Sequence, residues 1–113
     1  MWLRIPSKRI RERFITTYEL KGAQKVVDFL SEQYKLRRMR VILDGKRVGT
    51  RKANDWSACY SENKAYFTKK GLNKRTVLHE FYHHLLEKKG LELPEHIEEK
   101  EAHSYAREFV KKT

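Results

Sequence analysis

The sequence has little of the residues that cross-link or anchor small proteins. It contains one cysteine, Cys59, and two prolines in 113 residues. A single cysteine excludes an internal disulfide and a zinc site built from several cysteines. No apolar stretch approaches the ~18–20 residues that a membrane-spanning helix needs, and the first residues lack the apolar core of a signal peptide. These absences predict an intracellular, cytoplasmic protein without a membrane span.

Acidic residues are scarce in the first two-thirds of the chain. The net charge is +11, and residues 1–50 carry thirteen Lys/Arg against five Asp/Glu. Residues 79–113 reverse this balance, with six against eight. A basic surface attracts nucleic acid or another acidic surface, but it is also common as a merely solvated surface. The residues that would contact phosphate are Lys35 to Arg40, Arg47, Arg51 and Lys52.

Length and periodicity predict one α+β domain over residues 1–113. Residues 1–20 fit a helix and a strand equally well, whereas apolar residues at helical spacing predict a helix over about 22–35. Two hairpins follow: Arg40–Leu43 with Lys46–Gly49 through the turn Asp44–Gly45, and Ala58–Tyr60 with Ala65–Phe67. A helix over about 74–89 begins after Asn73 and ends at Gly90, and a last helix runs from Pro94 to about Val110.

The chemistry of the chain is concentrated in His79-Glu80-Phe81-Tyr82-His83. Two histidines four apart lie one helical turn above each other, so both imidazoles reach the same point. The glutamate after the first histidine lies about 100° around the helix, on the flank of that face. This H-E-x-x-H spacing supplies two zinc ligands and a carboxylate that can take a proton from water.

The residues around the motif support a cleft-facing helix. At about 100° per residue, Thr76, His79, Glu80, His83 and Glu87 fall on one face. The opposite face is broad and apolar, which predicts that it anchors the helix in the core. The histidines His84 and His96 are expected at the surface or around the site, not as ligands.

Zinc needs a third protein ligand, which the motif helix does not provide. The acidic last helix is the source that the sequence offers, since the link between the two helices is short. Its apolar stripe comprises Ala102, Ala106, Phe109 and Val110. Periodicity slightly favours Glu98 as the carboxylate that points toward the motif helix. The small residues Ala102 and Ala106 allow a close helix contact, and a ligand that flanks this contact could also be Glu101.

These residues resemble the gluzincin metallopeptidases, in which H-E-x-x-H provides two zinc ligands and a glutamate on the next helix provides the third. The segment Glu101-Ala102-His103-Ser104-Tyr105-Ala106 is similar to the glutamate helix of that family and favours Glu101. The compact length is similar to the minigluzincins, and the ImmA/IrrE-type peptidases share the same pair of motifs. The resemblance covers about residues 58–110 and implies a minimal zincin-like domain: a small β-sheet with hairpins, a backing helix, an active-site helix and a glutamate helix.

The resemblance also implies a function and further site residues. It implies one Zn²⁺ held by His79, His83 and Glu101, with Glu80 as general base of a metalloendopeptidase acting on peptides or proteins. Asn63 to Phe67 is similar to the edge strand that holds substrate main chain, with Asn63 and Ala65 as contact residues. Tyr105 and His103 are candidates to stabilise the transition state.

Two further expectations concern regulation and the alternative function. A domain this small has little to shield a zinc cleft, so residues 1–20 or 111–113 are candidate inhibitory segments. The alternative to a peptidase is a basic, nucleic-acid-associated protein that carries a zincin-like fold with little or no activity.

Overall fold

The computed structural model describes residues 6–43, 58–69 and 71–111. Within them the chain forms four helices and a three-stranded mixed sheet, which confirms the α+β class. The elements in chain order are α1 (Lys8–Lys21), α2 (Ala23–Tyr34), β1 (Arg40–Leu43), β2 (Ala58–Ser61), β3 (Lys64–Phe67), α3 (Lys74–Lys88) and α4 (Glu95–Val110).

The first twenty residues, which the sequence left open, contain helix α1. The Ser7 side chain caps its first turn by accepting from the Ile10 N–H at 3.4 Å. Gly22, with φ of +89°, separates α1 from α2, and a side chain at this residue would strain the backbone. Phe14 is fully buried and its ring packs edge-to-face on Phe109 at 5.1 Å. Helix α1 is therefore part of the core, and inhibition of the site by a terminal segment stays a prediction. Residues 1–5 and 112–113 lie outside the described part.

The sheet has the strand order β1-β3-β2. Strands β2 and β3 form the predicted hairpin, joined by Glu62 and Asn63, whose φ angles of +44° and +67° are those of a left-handed two-residue turn. Strand β1 runs parallel to β3, with Val41 opposite Ala65. The strand and turn predicted over residues 44–49 lie outside the described residues.

The prediction that residues 63–67 form an edge strand is wrong. Strand β3 is paired on both sides, with β1 and with β2, so its main-chain groups are already used. The Asn63 carbonyl accepts from the Arg40 N–H at 2.7 Å, and Ala65 is fully buried. Neither Asn63 nor Ala65 can therefore hold the main chain of a substrate. The outer strands of the described sheet are β1 and β2.

Helix α3 has strong signals at both ends. Asn73 and Thr76 form a reciprocal capping box, with the Asn73 side chain accepting from the Thr76 N–H at 3.0 Å. At the other end Gly90 has φ of +70°, and the Leu91 N–H donates to the Leu86 carbonyl at 3.0 Å. This is a Schellman ending, so the chain reverses within a few residues and α4 starts after Pro94.

The helices α3 and α4 pack closely, with Ala102 and Ala106 fully buried on α4. The buried stripe of α4 differs from the predicted one in one respect: it includes Tyr105, which is 1% exposed, whereas Val110 is only partly buried. The Tyr105 ring lies 4.8 Å from the Tyr82 ring, and its hydroxyl is 2.8 Å from that of Tyr34. The tyrosines thus join α2, α3 and α4.

No helix in the described ranges is long and apolar enough to cross a membrane.

We expect the cap at Asn73 to contribute measurably to stability. Replacing Asn73 by Ala leaves the Thr76 N–H without its acceptor, and the free energy of unfolding should fall by about 1 kcal/mol. Urea denaturation followed by circular dichroism measures this change. The matched variant Asn73→Ser keeps a side-chain acceptor and should recover most of the loss; equal destabilisation of both variants would contradict the cap.

Candidate metal centre

The two motif histidines and Glu80 meet at the wall of a large cavity. One ligand atom from each of His79, Glu80 and His83 lies within 4.8 Å of the others. The cavity has a volume of about 1030 Å³, and Thr76 and Glu87 also line it. The five residues that share one face of the motif helix in the sequence therefore share one cavity, while Phe81, Leu85 and the remaining apolar side of α3 are buried.

A carboxylate from α4 faces both histidines, and it belongs to Glu99. One oxygen of Glu99 lies 3.0 Å from Nε2 of His79, and the other lies 3.0 Å from Nε2 of His83. The two nitrogen atoms and the carboxylate thus converge from two helices. Glu99 was not among the sequence candidates. It is four residues before His103, so the two lie on one helical face, and this shared spacing was the signal in the sequence.

Glu98, the alternative candidate, contacts His83 from the other side of the ring. Its Oε2 lies 2.5 Å from Nδ1 of His83. A carboxylate can only accept, so Nδ1 of His83 donates in this contact, while Nε2 lies on the side of Glu99. Carboxylates in this position orient metal-bound histidines. Glu98 therefore fits the role of an orienting residue.

The structure does not bring Glu101 to the motif histidines. Its carboxylate accepts a hydrogen bond from the Tyr82 hydroxyl at 2.8 Å, and Glu101 does not line the cavity. The physical reason is the helical spacing: Glu99 and Glu101 lie about 200° apart, so they fall on opposite flanks of the buried stripe of α4. Tyr105 is also excluded as a transition-state stabiliser, since it is buried and bonded to Tyr34.

His103, the other predicted stabiliser, does line the cavity and is exposed. The charge of His103 acts on His79, whose pKa lies below the ordinary value of a histidine. The main cause is burial of the His79 ring, which lowers the pKa; the hydrogen bond that Glu99 accepts from His79 raises it, and the charges of His83 and His103 lower it further. Burial therefore favours the neutral form of the His79 ring, which is the form that can bind a metal.

The carboxyl of Glu80 is 6% exposed. Burial raises its pKa to about 7; His83 lowers it and Glu99 raises it further. A carboxyl group with this pKa exchanges a proton near neutral pH, which is the property of an effective general base or acid.

A buried histidine that was expected at the surface or around the site connects the motif helix to the sheet. His84 is fully buried, and its Nε2–H donates to the Arg37 carbonyl at 2.6 Å. Its Nδ1 lies 2.9 Å from the Tyr60 hydroxyl, which also donates to Glu87 at 2.7 Å. Burial raises the pKa of Tyr60, so this hydroxyl stays protonated. The network holds β2 against α3 beside the cavity.

The remaining predicted contacts fall outside this centre. Strand β2 lines the cavity with Ala58, Cys59 and Tyr60, in place of the predicted β3. His96 is exposed, as are the basic side chains of Lys35, Arg37, Arg38 and Arg40. Arg47, Arg51 and Lys52 lie outside the described residues.

The donor set fits one zinc ion. In a tetrahedral site with bonds of about 2.0–2.1 Å, neighbouring ligand atoms lie about 3.3 Å apart. One Glu99 oxygen lies 3.0 Å from Nε2 of His79 and the other lies 3.0 Å from Nε2 of His83, so the carboxylate is close enough to both imidazoles to share a metal ion with them. Two imidazoles and one carboxylate would leave the fourth position of a tetrahedral ion for water or a substrate.

Comparison with known proteins does not assign the chain to a family. No protein-family model, no curated protein and no solved structure matches the chain. The case for a metal centre therefore rests on the residues of this chain and their geometry.

The raised pKa of Glu80 predicts a pH-dependent stability of the metal-free protein. The unfolded carboxyl loses its proton near 4.5 and the folded one near 7, so between these values the folded state binds more protons. Stability should therefore fall as pH rises through this range, by up to about 3 kcal/mol. Urea denaturation should show that Glu80→Gln removes this slope, while Glu108→Gln, at an exposed helix position, keeps it. Parallel slopes for wild type and Glu80→Gln would contradict the burial effect.

The two glutamates Glu99 and Glu101 can be separated by their effect on zinc affinity. Glu99→Gln removes an anionic ligand, and we expect zinc affinity to fall at least about a hundredfold. Glu101→Gln keeps an acceptor for Tyr82 and should leave zinc affinity close to wild type. Competition titration with a chromogenic chelator measures both, alongside zinc content by mass spectrometry. Loss of zinc from Glu101→Gln with retention by Glu99→Gln would restore the original assignment.

Proposed function

We propose that the protein is a zinc-dependent hydrolase of peptide bonds. The observation that carries this proposal is the convergence of His79, His83 and Glu99 on one point, next to the buried carboxyl of Glu80. A wide cavity beside a three-ligand site supports catalysis over a structural staple.

A zinc ion held by His79, His83 and Glu99 would lower the pKa of a water molecule to near 7 and polarise the substrate carbonyl. Glu80 accepts the proton of the attacking water, since its buried carboxyl is poised near neutral pH. The same group then donates this proton to the leaving amine. The surrounding apolar side of α3 keeps the general base fixed, because Phe81 and Leu85 anchor the helix in the core.

The charge that develops on the substrate oxygen needs a donor. His103 is the candidate that the geometry supports, since it lines the cavity one helical turn after Glu99. Its exposure allows the imidazole to approach a substrate carbonyl. Tyr105 is too deeply buried to take this role.

The main chain of a substrate would pair with β2. This strand is on the outer side of the described sheet, and Ala58 to Tyr60 line the cavity. An outer strand offers N–H and C=O groups to an extended peptide. The hydrogen bonds of Tyr60 to His84 and Glu87 hold β2 at a fixed distance from the motif helix.

Replacing Glu80 by Gln tests the hydrolase proposal directly. The variant keeps both histidines and Glu99, so zinc should remain bound, but the proton acceptor is lost. We expect hydrolysis of a quenched fluorogenic peptide library to fall at least about a hundredfold. Wild-type activity should also disappear with dipicolinate and return on adding zinc. Equal hydrolysis by wild type and Glu80→Gln would refute the proposed role of Glu80.

A further inference from the structure

The cavity has the opposite charge to the protein. Six glutamates line it against a single arginine, Arg75, so its lining carries −5 when all are ionised, in a chain of net charge +11. The six are Glu80, Glu87, Glu92, Glu95, Glu98 and Glu99. Net charge alone would predict attraction of acidic partners, whereas the cleft favours cationic ones.

Three of these glutamates have no part in the metal centre. Glu98 and Glu99 contact the histidines and Glu80 is the general base, which leaves Glu87, Glu92 and Glu95. They come from the end of α3, the connecting segment and the first turn of α4, so they surround one end of the cleft. All three are exposed, and no basic residue in the described ranges pairs with Glu92 or Glu95. Glu87 lies 3.6 Å from the Lys88 ammonium and accepts a hydrogen bond from the Tyr60 hydroxyl at 2.7 Å.

A second observation, independent of the surface charge, comes from the interior of the cleft. The Glu80 side chain is 6% exposed and lines the cavity, yet no described residue donates a hydrogen bond to it or forms an ion pair with it. A buried carboxylate without a donor is unfavourable until a ligand supplies one. Carboxylates without an ion-pair partner among the described residues therefore lie both inside the cleft, at Glu80, and at its end, at Glu92 and Glu95.

The distance between these regions suits a peptide. Glu87 is four residues after His83, about one helical turn or about 6 Å along α3. An extended peptide advances about 3.3 Å per residue. A side chain one or two residues from the scissile bond would therefore reach Glu87, and a long one would extend toward Glu92 and Glu95.

We propose that the cleft selects peptide segments carrying arginine or lysine within about two residues of the scissile bond, with Glu87, Glu92 and Glu95 as the specificity-determining residues. This inference rests on the proposed peptidase function. Arginine is the better fit, because its planar guanidinium can bind two carboxylate oxygens at once. The basic outer surface repels such substrates at long range, so the preference arises at contact.

The test uses quenched peptides of one sequence in which a single position near the scissile bond is Arg, Gln or Glu. For the zinc-loaded protein we expect kcat/KM to be about tenfold higher with Arg than with Gln, and lower still with Glu. In the cleft variant Glu87→Gln/Glu92→Gln/Glu95→Gln this Arg/Gln ratio should fall toward 1. The matched variant Glu12→Gln/Glu32→Gln/Glu108→Gln changes the net charge equally at exposed residues outside the cleft, and its ratio should stay at the wild-type value.

Several results would overturn the inference. These are equal rates for the Arg and Gln peptides at every position, an unchanged ratio in the cleft variant, or an equal loss in both triple variants. If no peptide is hydrolysed, the peptidase proposal fails separately. Fluorescence anisotropy with zinc-loaded Glu80→Gln then decides the charge question: about tenfold tighter binding of the Arg peptide supports the cationic preference, and equal binding removes it.

Discussion

The close packing of α3 against α4 is the constraint on which the candidate centre depends. The small side chains of Ala102 and Ala106 are fully buried, and small residues let two helix backbones approach closely. Because the helices are this close, Glu99 on one can lie 3.0 Å from both imidazoles on the other. Larger residues at these two positions would separate the carboxylate from the histidines even if every ligand were retained.

Polar networks on either side of the helix pair fix its orientation. Tyr82 binds Glu101 and stacks on Tyr105, which in turn meets Tyr34 of α2. On the sheet side, His84 joins the Arg37 carbonyl and Tyr60. Residues that resemble site residues in sequence, Glu101 and His84, thus serve to hold the helices in place. Glutamate and histidine, the residue types of the candidate metal ligands, are thus also used nearby to hold the helices that carry those ligands.

The sequence was sufficient for local structure and insufficient for pairing at a distance. Asn73, Gly90 and the motif face were predicted because caps and periodicity depend on neighbours within one or two turns. The central position of β3 was missed because its parallel partner β1 lies about twenty residues earlier and no local signal encodes that pairing. Glu99 was missed for a related reason: one tyrosine, Tyr105, decides which flank of α4 faces the cavity, and its burial depends on contacts from α2 and α3.

The short turn at Gly90 fixes the spacing between the two helices that form the centre. Its Schellman hydrogen bonds and Pro94 leave few residues between the helices, so the position of every α4 side chain is counted from the end of α3. Inserting or deleting one residue there would turn α4 by about 100° relative to the histidines. The length of this connection therefore constrains the centre more than its composition does, and a genome search for proteins built on the same plan should hold this spacing fixed while letting the residues within it vary.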